Sequence, residues 1–245
     1  MIQMVIDKRL KRSELMQIVD QLKHYHVQSA MNDGDLFPDY QAVAVANHMD
    51  ASMVQLAYDQ MVDDGYFTKV KTRYYVKRLP FVERYDGQFK TFYGAVEALG
   101  MTPSFKTFKV EIIEQLPALF NVEETLQNRR YVRLEKVYYA DQIPLIHAAQ
   151  FYQLALFPDF TELDFNAMRI FPYLEKMHGI RFSHYREIID VVHPIESINE
   201  ALNQPLDASV FRMLMQASDE HHTPFEFSIL HTSILYSLES INRLR

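Results

Sequence analysis

Hydrophobic positions recur at helical spacing in the first third of the chain and gather into strand-like runs after it. Leu15, Ile18, Val19, Leu22 and His26 predict an amphipathic helix over 13–26. Asn32-Asp33-Gly34-Asp35 is a turn cluster. Leu36, Phe37 and Pro38 lead into a second helix, with Asp39 as N-cap and Val43, Ala44 and Ala46 as its apolar face. Asp50 caps a third helix, in which Val54, Ala57, Tyr58 and Met61 fall at i, i+3, i+4 and i+7. Gly65 stops that helix. Residues 66–76 are rich in aromatic and β-branched side chains, which predicts two strands with a tight turn near 69–72. Three helices and a two-stranded wing make a winged helix-turn-helix.

The pattern then changes. Residues 79–88 hold Pro80, Asp86 and Gly87 without a clean period and read as a linker. Lys90-Thr91-Phe92 opens a helix that ends at Leu99-Gly100, with Pro103 shortly after. Strands are predicted over 105–114, 130–140, 144–152 and 181–192, with a last hairpin of 210–218 and 225–237. Short helices fall at 116–126 and 195–202, and a longer one at 166–178 is stopped by Gly179. Strands that succeed one another through hairpins indicate a mainly antiparallel sheet with helices packed on it, an α+β fold. The expected division is therefore a head over 1–78, a linker over 79–88 and a second domain over 89–245.

Composition narrows the chemistry. With 245 residues, 48% apolar and 23% charged, the chain can bury the cores of two small domains. The absence of cysteine excludes disulfides, cysteine-ligated zinc, iron–sulfur clusters and thiol catalysis. No apolar run approaches the length of a membrane span and no signal peptide is legible, so a cytoplasmic protein without membrane contact is expected. A net charge of −7 argues against a broadly basic coat. Residues 1–78 balance ten basic against ten acidic side chains, and the remainder carries the whole deficit. Lys8, Arg9, Lys11 and Arg12 lie at one end of the head, and Lys69, Lys71, Arg73, Lys77 and Arg78 at the other. Between Lys23 and Lys69 there is no lysine or arginine.

Gly34, Asp35, Pro38, Ala44, Val54, Ala57, Met61 and Gly65 stand in an order that resembles the DNA-binding domain of the GntR family of bacterial transcription regulators. The apolar skeleton agrees, whereas the polar contacts depart. Where the family's recognition helix opens Ser-Arg-x-Thr-Val-Arg, this chain has Asp50-Ala51-Ser52-Met53-Val54-Gln55. Bidentate arginine–guanine pairs, worth about 1–3 kcal/mol of discrimination each, are thereby lost. Ser52, Met53 and Gln55 remain as candidate base contacts, with Lys69, Lys71 and Arg73 of the wing as candidate phosphate contacts.

Beyond residue 89, the order Thr91-Phe92, Gly100-x-x-Pro103, Arg133-Leu134-Glu135-Lys136-x-Tyr138-x-x-Asp141-x-x-Pro144, Gly179 and Pro224-Phe225-Glu226 resembles the UTRA effector-binding domain of the HutC/FarR branch of that family. The UTRA domain shares the fold of chorismate lyase. The resemblance implies a small-molecule effector held by Thr91, Phe92, Lys136, Tyr138 and Glu226. An Arg-x-Arg pair that often grips the ligand's anion is here Lys136 and Tyr138, which weakens bidentate phosphate clamping and argues against a simple phosphosugar.

Enzymatic signatures are lacking: there is no glycine-rich phosphate loop, Gly-x-Ser-x-Gly or His-Glu-x-x-His. The ten histidines show no metal-ligand spacing, and no cofactor or metal is expected. The expectation is a non-enzymatic homodimeric regulator, a repressor, that binds double-stranded operator DNA under control of an effector metabolite. The alternatives are a ligand sensor or interaction protein whose head has lost specific DNA binding, and an enzyme that uses the lyase-like cavity.

Overall fold

The computed structural model describes residues 2–29, 31–77, 81–85 and 91–240, with the side chains of 81–85 and of Val27, Ser237, Glu239 and Ser240 left aside. It divides into two compact units. The first comprises Met1–Leu99, Ile195–Ala208 and the segment from Ile234; the second comprises Gly100–Pro194 and Ser209–Ser233.

In the first unit, α1 (Glu14–Gln28) is capped by Ser13, whose hydroxyl accepts from the Met16 amide. Helices α2 (Tyr40–Ala46) and α3 (Ala51–Asp63) are capped by the Asp39 and Asp50 carboxylates. Val54, Ala57, Tyr58 and Met61 of α3 are fully buried, as their spacing predicts. Gly65 adopts φ 81°, the left-handed conformation that ends α3. Strands β1 (Phe67–Val70) and β2 (Arg73–Val76) pair antiparallel around the two-residue loop Lys71-Thr72. Leu36 bridges Tyr75, adding a short third element to this wing. Phe37, Tyr58, Phe67 and Tyr74 pack edge-to-face or tilted at the centre, with centroids 4.4 to 6.4 Å apart. The N-terminal strip also joins this core: Ile2 and Met4 are buried, and Asn47 bonds the Ile2 carbonyl and the Met4 amide.

The C-terminal half contributes to the same unit. Part of the expected linker is a strand, β3 (Phe81–Tyr85); residues 79, 80 and 86–88 lie outside the described residues, as does Lys90. Helix α4 (Phe92–Ala98) follows. Within the second unit, β4 (Pro103–Ile113), β5 (Tyr131–Ala140), β6 (Ile143–Gln153), β7 (His184–Val192), β8 (Val210–Ser218) and β9 (Pro224–Thr232) form one sheet in the order β4-β5-β6-β9-β8-β7. Every neighbouring pair is antiparallel. Central β6 is buried at each of its positions, His147, Gln150 and Gln153 included.

Several boundaries differ from expectation. The helix predicted over 116–126 is a 3₁₀ turn at Ala118–Phe120 and a single α-turn, α5 (Glu124–Gln127). The helix predicted over 166–178 begins only at α6 (Ile170–Tyr173) and runs into a π-turn ended by Gly179, φ 66°. Asn166 is instead spent on β4, where its side chain takes the Thr107 amide at 2.7 Å. The strand expected over 225–237 breaks at Ser233, whose amide returns to the Leu145 carbonyl. Its remainder is β10 (Tyr236–Ser240), which pairs parallel with β3 in the first unit. Between β7 and β8, α7 (Glu196–Ala201) and the residues to Ala208 belong to the first unit, not to the sheet that flanks them in sequence.

Candidate functional site

On the head, the candidate base contacts have unequal surroundings. Ser52 is exposed, but its hydroxyl donates to the Asp50 carboxylate. Met53 is half-buried and packs on the core. Gln55 is half-buried on α3. No basic side chain lies on α3.

The wing lysines and arginine are exposed on β1, the loop and β2. Lys71 sits at φ 55°, so the loop projects it at the cost of a left-handed backbone. Lys69 is already engaged: its ammonium lies 2.6 Å from Asp59 of α3 and 5.0 Å above the Tyr74 ring. The bond to Asp59 raises the Lys69 ammonium above its ordinary pKa. At the other basic end, Arg9 pairs with Asp7 and Arg12 with Asp20, while Lys8 and Lys11 are exposed. Arg78 lies outside the described residues.

The second unit gathers Lys136, Tyr138 and Glu226 on one face of the sheet. Alternation along β5 sends Val132, Leu134, Lys136 and Tyr138 to the same side. Directly across from them on β6 stand Tyr152, Gln150, Ala148 and Ile146. Across again on β9 stand Glu226, Ser228, Leu230 and Thr232. Segment 154–182 covers this face with Phe157, Phe160, Phe165, Ile170 and Leu174. Charge is therefore held against an apolar cover.

Lys136 is only 2% exposed, and its ammonium lies 4.9 Å from the Phe105 ring and 5.6 Å from that of Phe165. Burial pushes its pKa down to about 8, against the pull of Glu226. Glu226 is 5% exposed, and burial raises its carboxyl, opposed by Ser228, Tyr152, Gln150 and Lys136. One oxygen, Oε1, accepts from Gln150 at 2.9 Å and from Ser228. Its other oxygen, Oε2, is buried without a hydrogen-bond partner, as is the Tyr152 hydroxyl beside it. Gln150 in turn accepts from the Tyr138 hydroxyl at 3.2 Å. This polar chain could present both a donor and an acceptor to a small molecule. Sequence reasoning missed Gln150. Its strand periodicity, in phase with Lys136 across the 141–143 turn, was the available signal.

Thr91 and Phe92 lie in the first unit, at the cap and first position of α4. The Thr91 hydroxyl accepts from the Gly94 amide as the N-cap of α4. Among the described residues, no group of three or more His, Asp or Glu is arranged to hold a metal ion.

An antiparallel sheet with covered charges on one face is joined in one chain to a three-helix head with a wing. Residues 98–233 match the UTRA domain model. The chain belongs to the UTRA domain family. Its fold is similar to that of PhnF from Mycobacterium smegmatis (TM-score 0.61, 14% identity, covering 93% of this chain and all of that one). It is also similar to a possible transcriptional regulator, YydK, from Bacillus subtilis (TM-score 0.53, 14% identity, covering 95% of this chain and all of that one). A third similar structure is described as a candidate GntR-family transcriptional regulator (TM-score 0.54, 10% identity, covering 96% of this chain and 99% of that one). No curated protein matches the chain. No described helix is long and apolar enough to cross a membrane.

Proposed function

We propose that the chain is a ligand-responsive transcriptional regulator of the GntR type, HutC/FarR branch, acting as a homodimeric repressor on operator DNA. The observation that carries this reading is the incompletely satisfied Lys136–Glu226 group on the UTRA sheet, behind a capped three-helix head with a wing. Buried polar groups without partners are costly, and a bound effector would relieve that cost. Effector affinity would differ between two states of the dimer, and that difference is the coupling to DNA.

Edge strand β7 exposes Ile188, Ile189 and Val191, which suits pairing with a second copy. Two heads would then meet two half-sites. With no basic residue on α3, DNA affinity would rest on Lys69, Lys71 and Arg73, with Ser52, Met53 and Gln55 supplying what sequence reading remains. A mobility shift at low salt, scanned over the DNA upstream of the protein's own gene, tests this directly. A preferred fragment is expected, and equal affinity for random DNA would overturn it.

A second reading is favoured by Leu56, 57% exposed on the outer side of α3. An apolar tip on that helix suits a protein partner better than a groove of phosphates. In that case the chain is a sensor whose head no longer selects DNA, and the mobility shift would show no sequence preference.

A further inference from the structure

Lys136 and Glu226 do not pair with each other. Across the sheet they stand two strands apart and four residues out of step, on β5 and β9. Strand spacing puts their Cα atoms roughly 16 Å apart on the diagonal. The Lys136 ammonium lies over the Phe105 and Phe165 rings, whereas the Glu226 carboxylate is bonded to Gln150. Between them lie Leu134 and Ala148, apolar, and Gln150, which already serves Tyr138 and Glu226. Glu226 Oε2 and Tyr152 Oη are buried without a hydrogen-bond partner.

We infer that this face takes a small net-neutral zwitterion, its carboxylate on Lys136 and its ammonium on Glu226, and excludes phosphate esters. The inference rests on the proposed effector role of the same site and names its chemistry. Two opposite formal charges, desolvated and apart, are best neutralised by two formal charges in the reverse order. A polyol would need many more donors and acceptors than a face of Val132, Leu134, Ala148 and Leu230 supplies. A phosphate monoester would bring close to two negative charges to one point charge, with Glu226 adding a third. A mono-carboxylate alone would leave Glu226 unanswered.

The test uses the full-length protein and isothermal titration with a ladder of ω-amino acids from glycine to 6-aminohexanoate. Butyrate and butylamine serve as single-ended controls, and O-phosphoethanolamine, glucose and glucose 6-phosphate as competitors in class. At least one amino acid of four to six carbons should bind, and both single-ended controls should fail. Lys136→Met should weaken that binding by at least about 30-fold. Glu226→Gln should weaken it too while improving butyrate. If a phosphate ester or glucose binds wild type and loses affinity in Lys136→Met, the site stands and the ligand class is overturned. Binding of any probe that is indifferent to Lys136→Met and Glu226→Gln overturns the site itself. No binding by any amino acid of the ladder overturns the zwitterion class.

Discussion

Lys23 of α1 and Asp64 just after α3 form an ion pair at 2.6 Å with side chains only 1% and 3% exposed. Asn203, from the segment that follows α7, closes the group: its carbonyl accepts from Lys23 and its amide donates to Asp64. Gln60 adds a second donor to Asp64 at 2.8 Å. Replacing Lys23 by Met leaves the Asp64 charge buried and unanswered, which costs about 3–5 kcal/mol. For a chain of this size that is a fall in Tm of roughly 6–20 °C. Lys23→Met with Asp64→Leu removes both charges and should recover most of the loss. Burial pushes the Lys23 ammonium below its ordinary 10.5, with Asp64 opposing. The unfolded chain therefore binds that proton more tightly, and this contribution to stability rises as pH climbs toward 10.5. Urea unfolding across pH 7 to 10 reads both effects, and amide exchange over 196–204 reads the third partner. Asn203→Ala should strip protection from 196–204. The reasoning fails if Lys23→Met costs under about 1 kcal/mol or if that protection survives Asn203→Ala.

Three further outcomes follow from the same geometry. The triple change Lys69, Lys71 and Arg73 to Ala should weaken DNA binding across all sequences and reduce the slope of log K against log salt by roughly 2–3, read by titration from 50 to 200 mM salt. Asp59→Asn should do the reverse, strengthening binding in a mobility shift, because it frees Lys69 from its 2.6 Å partner. With the Lys136 pKa near 8 against an ordinary 10.5, stability should rise by roughly 3 kcal/mol between those pH values as the buried proton is given up, and Lys136→Met should flatten that slope in denaturant titrations.

The head was legible because its signals are local. Asp39 and Asp50 announce their helices as caps, and the α3 spacing announces the buried face. Strands β4 to β9 were legible for a similar reason, since hairpin turns such as Asp141-Gln142 separate alternating runs. What stayed hidden depends on distant partners. Lys23 reads as a surface charge until Asp64 and Asn203 are seen around it. Asn166 lies inside a helical pattern, but its bonds to Thr107 hold the backbone elsewhere. Ile195–Ala208 looks like a connection between two strands of one sheet, and nothing in its own sequence says that it packs with α1 and α3. The strand period puts Lys136 and Tyr138 on one face of β5, whereas the two-strand, four-residue offset between Lys136 and Glu226 is a matter of three-dimensional register.

The route of the chain has a consequence for synthesis. Asn203 lies 139 residues after Asp64, so translation delivers both charges of the α1–α3 pair long before the group that completes them. A nascent chain that has made only the head carries Lys23 and Asp64 without Asn203, and β3 without β10. Maturation of the head thus waits for Asn203 and β10 to be synthesised. An excised fragment ending near residue 99 would stay arrested at that earlier stage, so its DNA affinity would not report that of the intact protein.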